Sequence, residues 1–394
     1  MLEVNAAIDR LLKSCERLVE TEESPLMEAA GRVLAASLTA PIDVPPADNS
    51  AMDGYAFRYE DWPGPQVEMP LSQRITAGSV PQSLAPSSAA RIFTGAEIPA
   101  GADTVVMQER CEEFEVGVRI LERPVQGANI RPRGQDIAAG QQILAAGHRL
   151  RPQDLGLAAS LGIPRVPVFR RLRVAVMSTG DELREPGEVV GPGQIYNSNR
   201  FIMGPQLRSW GFDVIDLGVA RDSPAAVREM LLEGAGRADV IVSSGGVSVG
   251  EEDHVKDVVE SLGSIDLWRI AIKPGKPFAF GQVRGTPFIG LPGNPVSVFV
   301  TLLVVARPYL FACQGIADRA LHATRQVALF DKAGSSREDY LRVRSTPEGL
   351  ELFPNQSSGV LFSTCWGDGL LRQNVGEDIE AGGLTDFLPY ALFN

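Results

Sequence analysis

The sequence predicts a multidomain α/β protein: a doubly wound central domain, a β-rich insertion domain and a C-terminal β-barrel-like domain. Three observations carry that expectation. From Arg173 to Phe311, short β-branched apolar runs alternate with amphipathic stretches, as strand–turn–helix units around a parallel sheet do. Before them, Val67 to Leu150 breaks into short pieces (ITAGSV, TVVMQE, FEVGVRIL) separated by Gly and Pro, the pattern of a small all-β domain. After Gly315 the helical periodicity fades, and Val327 to Pro389 is again short and β-like, including Arg337 to Arg342 and Gln356 to Leu361.

Taken in order, Val4, Ile8, Leu11, Leu12, Cys15, Leu18 and Val19 recur at helical spacing and predict one amphipathic helix. Ser24-Pro25 resembles an N-cap followed by proline at the first helical position, so a second helix is expected through about Ala36. Ala40 to Phe57 holds Pro41, Pro45 and Pro46 with Asp43, Asp48 and Asp53, and predicts a long irregular segment, either a functional loop or a linker. Asp53 precedes Gly54 at a tight turn where a carboxylate can face outward. Thr94-Gly95 and Arg131 to Asp136 are glycine turns that suit either an anionic ligand or a solvated surface.

Pro152 to Gly162 predicts a short helix. The central unit then runs strand Val174 to Met177, helix Ser198 to Trp210, strand Asp213 to Val219, helix Pro224 to Leu232 and strand Asp239 to Ser243. Strands near Leu267 to Ile272, Phe278 to Val283 and Thr286 to Gly290 follow, and a helix from about Pro295 to Phe311 closes the unit. Its polar residues gather after strand ends: Thr179, Asp181 and Glu182; Asp222; and Gly245, Gly246, Ser248 and Gly250 leading to Glu251, Glu252 and Asp253. In open parallel sheets that edge binds ligands. A glycine turn before a helix lets backbone amides approach an anion, and the adjoining carboxylates suit a cation. Alone, the same turn also suits an ordinary strand–helix connection whose acids complement the helix dipole. Two further turns join the edge: Lys273-Pro-Gly-Lys276-Pro277 and Leu291-Pro-Gly-Asn294-Pro295. Lysines locked between prolines are good oxyanion ligands and poor surface filler.

Composition narrows the classes. A net charge of −12 over 394 residues argues against a nucleic-acid surface. Cys15, Cys111, Cys313 and Cys365 form no CxxC pair, which argues against a disulfide framework or zinc site and fits a reducing compartment. With three histidines, imidazole-based chemistry is not expected. No basic and apolar leader opens the chain, and the apolar run Val296 to Ala306 is short for a bilayer, so a cytoplasmic protein without membrane contact is expected.

Together these stretches resemble the molybdopterin molybdenumtransferase family (MoeA type, related to the E domain of gephyrin). The motifs are DNSAMDGYA (48–56), IFTGAEIPAGADTVVMQE (92–109), NIRPRGQDI (129–137), STGDEL (178–183), GQIYNSNR (193–200), SSGGVSVGEEDHVK (243–256), IKPGKPFAFG (272–281) and LPGNPVS (291–297). They span nearly the whole chain in the family's order.

The resemblance implies a discontinuous mixed α/β domain I (21–39 and 141–171), a β insertion as domain II (40–140), the doubly wound domain III (1–20 and 172–318) and a C-terminal β domain IV (319–394). It implies an elongated homodimer whose active sites face domains I and II of the other subunit. The reaction implied takes adenylylated molybdopterin and molybdate, depends on Mg²⁺, releases AMP and yields molybdenum cofactor. Contact with a molybdopterin adenylyltransferase is implied too. By matching motifs, the catalytic set is Asp53, Thr94, Asp136, Glu182, Asp222 and Asp253, with Glu182 and Asp253 as metal ligands. Thr179, Asp181, Gly245, Gly246, Ser248, Lys273, Lys276, Asn294, Arg337 and Ser358 are the expected substrate-binding residues. Arg269 stands where some members carry a lysine. Two other readings stay open: adenylylation of molybdopterin itself, and a scaffold or cofactor carrier, against which the full acidic set argues.

Overall fold

A computed structural model of the chain describes residues 1–246 and 254–393. Its central sheet has six strands: β1 (Arg173–Thr179), β2 (Asp213–Ala220), β3 (Val240–Ser244), β4 (Gly263–Arg269), β5 (Pro277–Val283) and β6 (Thr286–Leu291). The order is β2-β1-β3-β6-β5-β4, with β2, β1, β3 and β6 parallel and β5 antiparallel to both its neighbours, so that β4 runs in the direction of the parallel set. Alternation along the strands shows why helices cover both faces. Val174, Val176, Val240 and Val242 point into one core cluster, with Leu11, Leu207 and the helix after β6. Ala175, Met177 and Ile241 point into the other, with Val227, Leu231 and Val259. A strand apolar at every position must be buried on both sides, which is the doubly wound arrangement expected. The hairpin from β5 to β6 turns on Arg284 and Gly285 at φ 54° and 88°, the left-handed pair that a two-residue hairpin needs.

The helix after β6 runs Pro295–Gln314 and is long and apolar enough by composition to cross a membrane, yet 89% of its most apolar window is buried inside the protein. The expectation that the apolar run is short for a bilayer does not hold for the whole helix. The buried Arg307 continues the helix beyond Ala306, its guanidinium 4.2 Å from the Phe311 ring centroid.

Two N-terminal expectations fail. The first helix is Val4–Lys13 and stops there, where Ser14 caps the carbonyl of Leu11 at 2.8 Å. Leu18 and Val19 continue as extended chain, with Leu18 N–H donating to Cys313 O at 3.0 Å. The helix expected from Ser24 to Ala36 is instead the strand Thr21–Pro25, a single 3-10 turn Leu26–Glu28 and the strand Val33–Leu34. Pro25 is extended (φ −55°, ψ 140°), and Gly31 at φ 74° would sit mid-helix. Both strands pair with Arg165–Phe169, a partner remote in sequence that local pattern cannot announce. Leu38–Thr39 likewise pairs with Gln142–Leu144.

The insertion forms a six-stranded sheet containing Gly54–Phe57, Met69–Ile75, Ala89–Ile92, Thr104–Met107, Cys111–Glu113 and Gly117–Ile120. Gly54–Phe57 was read as the end of an irregular segment, but it is fully buried and paired on both sides. The C-terminal sheet is also β, built on Glu338–Ser345, Gly369–Gln373, Leu384–Pro389 and Thr324–Val327. Within it, Gln356 to Leu361 is a turn before the short helix Phe362–Trp366. The expected strand Leu267 to Ile272 divides: β4 ends at Arg269, and Ile272–Lys273 leaves the central sheet to pair in parallel with Glu338–Asp339. That bridge brings the C-terminal sheet against the carboxyl edge of the central one.

Candidate active site

The carboxyl ends of β1, β2, β3 and β6 open into a cleft of about 1220 Å³. Thr179, Glu182, Asp222, Gly245, Gly246, Lys273, Lys276, Asn294, Arg337 and Ser358 all line it, so residues chosen from seven separate stretches of sequence meet at one place. Asp181 does not line it; its Oδ1 accepts the amide of Asp222 at 3.0 Å and ties the turns after β1 and β2 together.

After β3 the chain turns through Gly245 and Gly246, both left-handed (φ 86° and 69°). A Cβ on Gly245 would lie 3.0 Å from Thr179 O and 3.1 Å from Thr179 Oγ1, and one on Gly246 would lie 2.3 Å from a Val255 methyl. Only glycine lets this turn lie so close to β1. The Gly245 amide donates to Leu291 O at 3.2 Å, so that amide is occupied within the protein and Gly245 serves by close approach. The Glu182 carboxylate folds back over its own turn, where a Cβ on Gly180 would meet it at 2.4 Å.

The opposite wall is the stretch from Lys273 to Pro277. Gly275, at φ 113°, sits against the core helix, where a Cβ would come within 2.4 Å of Thr301 Cγ2. Lys273 Nζ lies 3.2 Å from the buried Asp339 carboxylate, whereas Lys276 is exposed and, among the described residues, has no ion pair. Arg337 Nη1 donates to Ile272 O at 3.2 Å, which carries a third cation to this wall. The Asn294 amide donates to Ser358 Oγ at 3.0 Å, and Val296 N–H to Ser358 O at 3.1 Å, so the C-terminal turn is clasped to the start of the core helix.

Several lining residues were not singled out from sequence. Asn197 is buried and caps the helix Ser198–Ser209, accepting from Arg200 N–H at 3.3 Å. Asn199 reaches across to Gly293 O at 2.7 Å. The signal was present in GQIYNSNR, where Asn197 and Asn199 flank the first residue of a helix, but neither asparagine carries a charge to draw attention.

Asp53, Thr94 and Asp136 do not line the cleft. Asp53 Oδ1 accepts from Thr94 N–H at 2.8 Å and from Thr94 Oγ1 at 2.7 Å, which holds its carboxyl below the usual carboxylate range. Asp136 is exposed on the insertion, its amide bonded to Val44 O at 2.9 Å. In the turn before it, the Arg133 guanidinium is paired with Asp43 (Nε to Oδ2, 2.5 Å), and its backbone amide donates to Asp48 Oδ1 at 2.7 Å. Ser248 and Asp253 lie outside the described residues.

Among the described residues no three His, Cys, Asp or Glu side chains converge to hold a metal ion. Glu182 and Asp222 nevertheless both line the cleft. Mg²⁺ is commonly held by one or two carboxylates together with substrate phosphates and water, so this donor set fits it.

Residues 2–162 match the MoeA N-terminal region (domain I and II), and residues 175–312 match the probable molybdopterin binding domain. The chain is 44% identical over 317 residues to the molybdopterin molybdenumtransferase of Haemophilus influenzae, covering 80% of this chain and 78% of that protein. It is 39% identical over 319 residues to the molybdopterin molybdenumtransferase of a Nostoc species, covering 79% and 73%. The crystal structure of the molybdopterin biosynthesis MoeA protein from Pyrococcus horikosii superposes with a TM-score of 0.84 at 30% identity, over 100% of this chain and 99% of that one. With a cleft of this composition on a fold shared from end to end, the chain belongs to the molybdopterin molybdenumtransferase (MoeA) family and is an enzyme of molybdenum cofactor biosynthesis.

Proposed function

We propose that the chain inserts molybdate into adenylylated molybdopterin in a Mg²⁺-dependent reaction that releases AMP. One observation carries this reading: carboxylates (Glu182, Asp222), a glycine turn (Gly245, Gly246) and cations (Lys273, Lys276, Arg337) share one cleft. Water adds to phosphorus and gives up a proton, the bridging P–O bond of the anhydride breaks with its electrons on the departing phosphate oxygen, and AMP leaves. The two dithiolene sulfurs bond to molybdenum as their protons leave with one molybdate oxygen as water. Bound Mg²⁺, held by Glu182 with Asp222 or Asp253, would neutralise phosphate charge. The chain's own part is to exclude bulk water, place the phosphates against the glycine turn, and orient the pterin through Asn294 and Ser358. Lys273, Lys276 and Arg337 hold molybdate beside the pterin. Each charge-assisted contact is worth roughly 1.5–3 kcal/mol, enough to draw an oxyanion toward a chain of net charge −12.

In this reading Asp53, Thr94 and Asp136 complete the site of a second subunit in a homodimer. That accounts for a hydrogen-bonded carboxylate standing ready outside the chain's own cleft. The discontinuous domain I, the insertion, the sheet domain and the C-terminal domain keep the bounds given above. A molybdopterin adenylyltransferase supplies the substrate by direct contact.

The test supplies purified protein with adenylylated molybdopterin and Mg²⁺, with and without molybdate. Molybdate-dependent release of AMP alongside active cofactor is expected. ATP consumption without that dependence would favour adenylylation instead.

A further inference from the structure

The buried carboxylate of Asp339 has no role in the chemistry above. It is 1% exposed and sits on the C-terminal strand Glu338–Ser345, opposite Lys273 across the parallel pairing of Ile272–Lys273 with Glu338–Asp339. Its Oδ2 lies 3.2 Å from Lys273 Nζ and 3.3 Å from Lys332 Nζ. Among the described residues neither carboxylate oxygen accepts a hydrogen bond of regular geometry. The two ammonium groups are therefore its ion-pair partners, and the buried Arg342 guanidinium is attracted to it at longer range. A buried carboxylate is strongly destabilising unless paired, so it constrains the flexible side chains that neutralise it. Lys332 is mostly buried, and its backbone is fixed by exchange of both hydrogen bonds with Ile379. Lys273 is 39% exposed and lines the cleft.

We propose that Asp339 is the positioning residue for Lys273, with Lys332 as the fixed counter-ion that leaves the Lys273 ammonium shared between Asp339 and bound oxyanion. The inference rests on the reading of Lys273 as a molybdate contact. With two lysines on one carboxylate, the cluster keeps a net positive charge. Without Lys332, Asp339 would hold Lys273 for itself. Without Asp339, Lys273 would spread over its rotamers and be repelled by Lys332. Glu338 N–H donates to Ala271 O at 2.9 Å, so the backbone on both sides stays joined whichever side chain is changed.

Electrostatics alone and positioning predict opposite signs. Asp339→Asn adds one positive charge beside the cleft, so a purely electrostatic role predicts a lower KM for molybdate. Positioning predicts a KM raised at least fivefold, with kcat and the KM for adenylylated molybdopterin changed less than twofold. The 394-residue chain is assayed for molybdate-dependent AMP release as wild type, Asp339→Asn, Lys332→Met, Lys273→Ala and the Lys273→Ala/Asp339→Asn double variant. Lys332→Met should also raise the molybdate KM, and it decides the matter if Asp339→Asn does not fold. The double variant should match Lys273→Ala within twofold, because the carboxylate acts only through that lysine. An unchanged or lowered KM in Asp339→Asn, or multiplying effects in the double variant, would overturn the inference. If Lys273→Ala itself leaves the molybdate KM unchanged, it is the assignment of Lys273, and with it this inference, that fails.

Discussion

Gly275→Ala should damage both the fold and the site, by an amount the structure lets one apportion. The added Cβ would stand 2.4 Å from Thr301 Cγ2, well inside any van der Waals contact, and φ at 113° is a conformation that alanine rarely adopts. Backbone strain of this kind costs roughly 1–3 kcal/mol. Overpacking against a buried methyl costs about 1–3 kcal/mol more. Thr301 is fully buried and its Oγ1 donates to Ser297 O at 2.7 Å, so it cannot swing away without losing that bond. The sum, roughly 3–4 kcal/mol when neither term is at its limit, should lower the apparent Tm by several degrees. Because Lys273 and Lys276 flank Gly275, the molybdate KM should rise severalfold as well. Thr301→Ser removes only the methyl and keeps the hydroxyl. Added to Gly275→Ala, it should recover the overpacking part, about half of the loss, and leave the strain. Thermal unfolding and molybdate titration of the three variants test this. Wild-type stability in Gly275→Ala, or no recovery with Thr301→Ser, would refute the close-contact reasoning.

Glu182→Gln should abolish AMP release while the thermal midpoint stays within a degree or two, since Glu182 is exposed; full turnover with ordinary Mg²⁺ dependence would remove it from the site. Asp53→Ala and Glu182→Ala, each inactive alone, should complement in mixed dimers, because one assembled site then carries neither lesion; no recovery in verified heterodimers would mean that each site is built within one chain. Asp154 is buried at the start of the helix Pro152–Ser160, where the Arg151 guanidinium above all, helped by His148, holds its carboxyl well below the usual carboxylate range. Asp154→Asn should cost about 2–3 kcal/mol at neutral pH. A depressed carboxyl contributes its stability above the unfolded value near 4, so the gap between wild type and variant should narrow as pH falls below about 4; a gap unchanged down to pH 2 would contradict the assignment.

The central sheet was legible because its inner strands, through Val174 to Met177 and Val240 to Val242, are apolar at every position, and the turns that follow the strands carry the polar residues. Val174 to Met177 alone announces burial on both faces. The segments read wrongly are those decided by partners distant in sequence. Ser24-Pro25 carries a valid helix-start signal, but Thr21–Pro25 finds a strand near residue 167, and tertiary pairing overrides local preference. Gly54–Phe57 was hidden by the prolines and aspartates before it, although its aromatic and small residues suit a buried strand. At the site, chemistry-bearing turns could be chosen because Gly, Pro and Lys cluster there for few other reasons. Asp339 could not, since an acid within EDYLRVRS reads as an ordinary exposed strand position until its neighbours are known. Asp181 shares a motif with Glu182, yet its carboxylate turns to the amide of Asp222, a contact that the motif alone does not announce.

The claim that most needs testing is that this cleft, and specifically its lysine-bearing wall, holds molybdate. Equilibrium titration of molybdate into wild type, Lys273→Ala and Lys276→Ala measures it directly, with nucleotide affinity followed in parallel. Loss of one charge-assisted contact of roughly 1.5–3 kcal/mol should weaken molybdate about tenfold or more in each variant. Nucleotide binding should change little, and tungstate should compete with molybdate in the wild type. Unchanged molybdate affinity in both variants would place the oxyanion elsewhere and contradict the account.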